Sequence, residues 1–553
     1  MIILLLIIPL IGILFILPCA AYSTENVMPG SYKKNSNQTV RINEKKDSIS
    51  NNNLSSTNKG PSHSQFNSID STILMKKIAL VTSIINFIVS IVLWGEFDSS
   101  TREYQFVSSA SSFYSEDTIS PSLPTGDIGR REISFCYLRF GIDGISLYFV
   151  LLTTFIIPIC ILSNWDNIQH NIKFFLINFL LLETLLIAVF TVCDLLLFYI
   201  FFESVLIPLF LIVGIWGGSS TRIRAAFLLF LYTLFGSLFM LLSFLYIYYN
   251  IGTTDFQIVS LSEINPVVQK ILWVGIFISM AIKTPIWPLH LWLFRAHAEA
   301  PVGGSVILAG LILKLRLYGY LRILIPMLPD ATSYFSPLVQ TMALISIIYA
   351  SLSTVRQTDF KALVAYSSVA HMGVVVLGVF SNTIQGIEGS ILLGIAHGLV
   401  SPALFILVGR VLYDRYHTRV IMYYRGLTTY MPIFSIMFFL FTIRNTGIPL
   451  SANWVGEMMS LMGAFQKNTI IASIGSIGIV LSARYSIWLY NRVRFGSWSK
   501  YLGYTKDLNR REFMLLLPLL ITTFLFGIFP NRILNDIHVS VSHLIYSLFS
   551  RGL

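Results

Sequence analysis

Charge is scarce in this 553-residue chain: 12% of its residues are Asp, Glu, Lys or Arg, against 55% hydrophobic. With a mean hydropathy of +0.72, that balance excludes a soluble globular protein, whose surface needs far more charge. Cysteine is scarcer still. Cys19, Cys136, Cys160 and Cys193 show no CxxC or close Cys/His spacing, which argues against a disulfide framework or a metal site. No GxGxxG follows a strand, and neither a Walker loop nor a G-x-S-x-G elbow is present. The chain therefore signals no nucleotide cofactor and no hydrolase nucleophile.

What it has instead is a series of long apolar runs. Runs of about eighteen or more residues read as spanning helices, and about fourteen meet that criterion. Their centres lie near Leu10, Ile85, Leu152, Leu182, Val205, Leu238, Gly275, Leu313, Ile345, Val374, Ile395, Phe439, Ile479 and Leu519. The span at Phe439 continues towards Met458 after a break at Gly447-Ile448-Pro449. The expected fold class is all-α, a polytopic membrane protein. A net charge of +11 is compatible with nucleic-acid binding, but its distribution argues against it. If the spans alternate, one side collects Lys76, Lys77, Arg222, Arg224, Arg356, Lys361, Arg415, Arg419, Arg510 and Arg511. The opposite side holds far fewer basic residues, chiefly Arg102, Arg130, Arg131, Arg139, Lys270, Lys467 and Arg532. This is the positive-inside pattern, with the rich side cytoplasmic or matrix and both termini opposite it.

Residues 1–21 read as a first transmembrane helix, because a secretory signal would carry a basic n-region and a shorter apolar core. Residues 22–75 are polar, with Asn51-Asn52-Asn53 and many Ser, Thr and Lys; this insertion is expected to be a disordered loop. Residues 76–173 hold further N-terminal spans and a second polar loop at 96–135. Beyond Phe140 the loops shorten and the chain reads as one compact bundle. Residues 496–553 supply a last span and a tail.

Four ionisable residues interrupt the apolar runs. Glu203 lies in LLLFYIFFESVLIPLFLIVGIW and Lys283 in ILWVGIFISMAIKTPIWPLHLWL. Lys314 lies in LAGLILKLRLYGY and Glu457 in ANWVGEMMSLMGAF. A charge at the bilayer centre costs about 2.5–3.5 kcal/mol on insertion scales, so such residues face the bundle interior and mark ion or proton paths. Two acids and two lysines point to proton conduction rather than to binding of an organic substrate. Lys283-Thr284-Pro285-Ile286-Trp287-Pro288 and Asn445-Thr446-Gly447-Ile448-Pro449 must break their helices, because proline removes a donor and clashes with the preceding turn. Paired broken segments are the sequence mark of a transport site between inverted repeats.

Longer stretches carry a family resemblance. GIDGISLYFVLLTTFIIPICIL, LLLFYIFFESVLIPLFLIVGIWG, WPLHLWLFRAHAEAPVGGSVILAGLILKL, RQTDFKALVAYSSVAHMG and IRNTGIPLSANWVGE with YSIWLYNRVRFG resemble one family. It is that of the antiporter-like, proton-pumping membrane subunits of respiratory NADH:ubiquinone oxidoreductase (complex I), of the mitochondrial type. The resemblance covers residues 1–21 and roughly 75–535. It implies two inverted five-helix repeats, 174–324 and 335–495, flanked by extra helices. It further implies that Glu203 and Lys283 form a coupled pair, that Lys314 is the central relay, and that Glu457 ends the second repeat. His371 and His397 match the histidines of the central axis. NADH, flavin, iron–sulfur clusters and ubiquinone are implied on other subunits, with no cofactor or metal on this chain. The implied partners are other membrane-arm subunits, including neighbouring antiporter-like ones, with lipids and protons, in the mitochondrial inner membrane. The alternative is a subunit of a multisubunit cation/proton antiporter.

Desolvation disfavours a charged lysine and a nearby carboxylate favours it, so making or weakening a Glu203–Lys283 pair would switch proton release. Each residue also has a plainer role open to it. Glu203 and Lys283 would serve equally as a static ion pair, and Lys314 as a lysine reaching an interface. His371 and His397 could be packing histidines, and Glu457 a capping group. His290 and His297 line the path or cap the broken helix. Glu183 is placed to assist Glu203, and Asp359 and Lys361 read as a solvated loop pair. Arg295, Arg316, Arg425, Arg444 and Arg484 stand where the family carries other, mostly small, residues. They reflect either adaptation to partners or arginine codons read as alanine or glycine.

Overall fold

The computed structural model describes residues 1–19, 63–109 and 138–549. Cys136, most of the polar stretch at 96–135, and the 22–75 insertion up to residue 62 lie outside the described residues. The rest of that insertion is not a loop: α2 (His63–Gly95) begins inside it. Extending a helix costs far less than nucleating one, so an apolar span carries polar turns with it.

The first spans are α1 (Ile2–Ile16), α2, α3 (Gly144–Ser163) and α4 (Ile172–Thr191). Next come α5 (Leu195–Trp216), α6 (Arg222–Ile251), α7 (Pro266–Lys283) and α8 (Leu291–Glu299). The middle of the bundle is α9 (Val302–Met327), α10 (Pro329–Arg356), α11 (Phe360–Val379) and α12 (Ile384–Tyr416). Then follow α13 (Pro432–Asn445), α14 (Ala452–Lys467), α15 (Thr469–Arg494), α16 (Arg510–Ile528) and α17 (Asn531–Phe549). Among the described residues, 12 helices are long and apolar enough to cross a membrane, and α1 and α13 are shorter apolar helices, which together make the fourteen expected. Short polar caps start them: Asp143, Asp194, Asp359, Thr383, Ser451 and Asn468 each accept a backbone N–H of the first turn.

A two-stranded hairpin, β1 (Gln105–Ser109) and β2 (Arg139–Ile142), was not expected from the sequence. It pairs Gln105 with Ile142 and Ser108 with Phe140, and runs through Asp143 into α3. It marks one face of the bundle. The opposite face carries the basic loops, where Arg410 reaches Asp166 at 3.1 Å and Asp414 at 3.3 Å, and Arg415 reaches Glu512 at 2.6 Å. The core is α9 and α12, buried along their whole apolar windows; α2 and α16 are buried over less than a third of theirs.

Both expected breaks are present. The first path stops at Lys283 and resumes at Leu291; the second stops at Asn445 and resumes at Ala452. A carbonyl freed at the first break is used: Trp292 Nε1 donates to Ile282 O at 2.8 Å.

Candidate functional site

Pro208 cannot donate to the carbonyl of Ser204, and α5 is irregular at Val205 for that reason. Glu203 sits just before this irregularity. Its Oε1 accepts from Lys283 Nζ at 2.5 Å, with Lys283 2% and Glu203 13% exposed. Lys283 is in the last turn of α7, where the helix dipole favours a cation, and its Nζ stands 3.5 Å over the Phe202 ring. The sequence-predicted pair is thus assembled.

Lys314 is fully buried in α9, which runs as π-helix over Leu308–Ile312. Within this π-helical stretch Lys314 Nζ donates to Ala309 O at 2.6 Å. The same Nζ is 2.9 Å from His397 Nδ1. Lys314 is buried and so does not reach an interface, and no carboxylate pairs with it among the described residues. The rings of His397 and His371 have centroids 5.7 Å apart, and His371 Nδ1 lies 3.0 Å from Glu457 Oε1. Beside His371 and Glu457 is a cavity of about 10 Å³, also lined by Ser482; this is close to the space of one water. Lys314, His397, His371 and Glu457 therefore form one buried row. Lys283 and Lys314 share no hydrogen bond. Their helices are joined by Arg316, whose Nη1 donates to Lys283 O, and by Thr284 Oγ1 and Tyr320 OH at 2.8 Å.

Several plainer roles fall away. Glu457 is not the cap of α14, because Ser451 is. His290 precedes α8 without a capping hydrogen bond and lies between Tyr349 and Tyr366. His297 stacks on Phe405 at 4.6 Å. Lys361 is not solvated: it is buried, with Nζ donating to Ala300 O at 3.0 Å, while Asp359 caps α11. Glu183 does not assist Glu203; it accepts from Asn86 at 2.7 Å. Asn86 was missed by sequence reasoning, although a lone amide in an apolar run was signal enough. Arg295, Arg425 and Arg484 are exposed. Arg444 is buried against Phe524 at 3.7 Å, and among the described residues none of its guanidinium nitrogens has a hydrogen-bond partner. Nothing in the structure explains a cation there.

The family model described as NADH:quinone oxidoreductase/Mrp antiporter, TM, matches residues 192–482. That span contains all six residues from Glu203 to Glu457. The chain is 71% identical over 483 residues to NADH-ubiquinone oxidoreductase chain 4 of Mycosarcoma maydis, covering 87% of this chain and 96% of that one. It is 50% identical over 473 residues to chain 4 of Arabidopsis thaliana, covering 85% and 92%. The chain belongs to the chain 4 family. A chain of respiratory complex I from Thermus thermophilus matches with a TM-score of 0.75 at 28% identity, covering 86% of this chain and 95% of that one. A chain of the Mrp complex from Dietzia sp. matches at 0.73 with 17% identity, covering 86% and 95%, which shows a common fold alone. The antiporter alternative thus stands as a related family, and the chain 4 reading carries the higher identity. Among the described residues, no group of His, Cys, Asp and Glu is arranged to hold a metal ion.

Proposed function

We propose that this chain carries protons through Glu203, Lys283, Lys314, His397, His371 and Glu457, in the order in which they lie. The chain is a proton-translocating membrane-arm subunit of NADH:ubiquinone oxidoreductase, a multisubunit membrane complex. Redox chemistry belongs to other subunits, and this chain's share is to move charge. The observation that supports the path is the buried row in which Lys314 Nζ meets His397, the His397 and His371 rings lie 5.7 Å apart, and His371 meets Glu457. Each member can take one proton and release one, and the two histidines have a free Nε2. The Glu203–Lys283 pair acts as the switch: when it opens, Lys283 loses the carboxylate that favours its ammonium and gives its proton towards Lys314. The halves 174–324 and 335–495 act as the two repeats, each with one broken helix. Its partners are other membrane-arm subunits, including neighbouring antiporter-like ones, in the mitochondrial inner membrane.

Lys314 gives the cleanest test, because removing it leaves no acid without its counter-charge. In the assembled complex, Lys314→Met is expected to keep assembly and lose most proton movement per NADH oxidised. Wild-type pumping in that variant overturns the path.

A further inference from the structure

Asn86, Ser90 and Trp94 stand at every fourth position of α2, so their side chains form one stripe. Each finds a partner on a different helix. Asn86 Nδ2 donates to Glu183 Oε1 of α4 at 2.7 Å. The hydroxyls of Ser90 and Thr154 of α3 are 2.7 Å apart. Trp94 Nε1 donates to Asp536 Oδ2 of α17 at 3.0 Å, and Tyr148 OH donates to the same oxygen at 2.6 Å. Asn86, Ser90, Thr154 and Glu183 are fully buried, while Asp536 is half-buried at the hairpin face. At 1.5 Å of rise per residue, successive pairs are about 6 Å apart along the helix. One bridging water spans a gap of about that size.

Glu183 is the member that a packing role does not explain. No ion pair of Glu183 is present among the described residues, and its one hydrogen-bond donor is an amide. Its Oε2 and the Oδ1 of Asn86 are both buried without a hydrogen-bond partner among the described residues. With a carboxylate at 183, both are acceptors lacking a donor; one added proton supplies a donor. A polar clamp between α2 and α4 needs no acid. Glutamine at 183 would offer an acceptor to Asn86 Nδ2 and a donor to Asn86 Oδ1. An ionisable group in place of that amide, at membrane depth, is functional by default.

We propose that Glu183 is a further proton-holding site of this subunit, off the Glu203–Lys283 pair and the Lys314–Glu457 row, and that it exchanges its proton with the hairpin face through Ser90, Thr154 and Asp536. The step makes and breaks only O–H bonds. Water at the hairpin face protonates the Asp536 carboxylate. The Thr154 and Ser90 hydroxyls, with bridging water, each accept one proton and release one, and the Glu183 carboxylate takes the last. The reverse sequence discharges it. The proposal rests on the chain being a proton carrier, and the test separates the two.

In the assembled complex in sealed vesicles, Glu183→Gln is expected to assemble, to oxidise NADH, and to move fewer protons per NADH. Asp536→Asn keeps an acceptor for Trp94 and Tyr148 and is expected to lower the same ratio. It decides the matter if Glu183→Gln fails to assemble. A wild-type ratio in Asp536→Asn, or in a Glu183→Gln complex that assembles, overturns the proposal and leaves Glu183 as a clamp. Lys314→Met measured alongside distinguishes the failures. If it stops pumping while the Glu183 and Asp536 variants pump normally, this inference alone falls; if it too pumps normally, the row falls as well.

Discussion

The two broken helices use one device for two kinds of chemistry. At the first break, Lys283 ends its helix, within reach of the dipole that favours a cation. It meets a carboxylate that is 13% exposed. At the second, Glu457 lies beyond the first turn of α14, too deep for the dipole to help it, and its partner is a histidine. Both members of that second pair are 3% exposed. The first pair joins a lysine to a carboxylate. The second becomes an ion pair only when His371 carries a second proton. A broken helix thus delivers an ionisable group and free backbone to the bundle interior, and on the proposed path the partner makes the first a latch and the second a relay.

The largest effect should come from breaking the latch. Lys283→Met leaves Glu203 without its cation, and removing one partner of a buried pair costs about 3–5 kcal/mol, less here because Glu203 is partly exposed. Loss of both assembly and pumping is expected. The paired variant Lys283→Met/Glu203→Gln should regain assembly on native gels without regaining pumping. Recovery of pumping as well would make the pair a static clamp.

A smaller effect tests the relay. Gly447 has φ +72°, and a Cβ there would lie 2.5 Å from Glu457 Oε2. Gly447→Ala should cost about 1–3 kcal/mol of stability for its backbone conformation. It should also push the Glu457 carboxylate off His371, lowering protons moved per NADH while quinone turnover persists. An unchanged ratio would show that the close approach is incidental to proton transfer.

The smallest effect lies outside the spans. His543 on α17 shares a cavity with Arg102. Burial first, and then the Arg102 charge, hold its imidazole below the usual value. The folded state therefore favours neutral His543. Its contribution is fully present above the unfolded value of about 6.5 and is lost as pH falls from there through the lower folded value. Hydrogen exchange across 531–549 should quicken as pH drops below about 6.5, after correction for intrinsic rates. His543→Gln should remove that dependence and leave pumping unchanged.

Much of the row was legible because lipid makes charge expensive: Glu203, Lys283, Lys314 and Glu457 each stood out against apolar neighbours. His371 and His397 came from the family resemblance, since a histidine among small polar residues is ambiguous alone. Other parts were hidden. Nothing near Lys361 distinguishes a solvated lysine from one that reaches a buried carbonyl. The hairpin escaped because its strands are separated by a long polar segment. Glu183 was visible as an acid in an apolar run, but its partner Asn86 lies 97 residues earlier.

The sequence by itself determined the class, the spans, the two breaks and the identity of the ionisable groups. Those follow from local rules: apolar length, proline geometry and the cost of buried charge. Tertiary structure alone decided which groups meet. Glu203 finds Lys283, Lys314 finds His397 and, among the described residues, no acid, and His371 finds Glu457, because helices far apart in sequence pack together. Pairing across a bundle depends on rotation and register of neighbouring helices, and no local pattern encodes those.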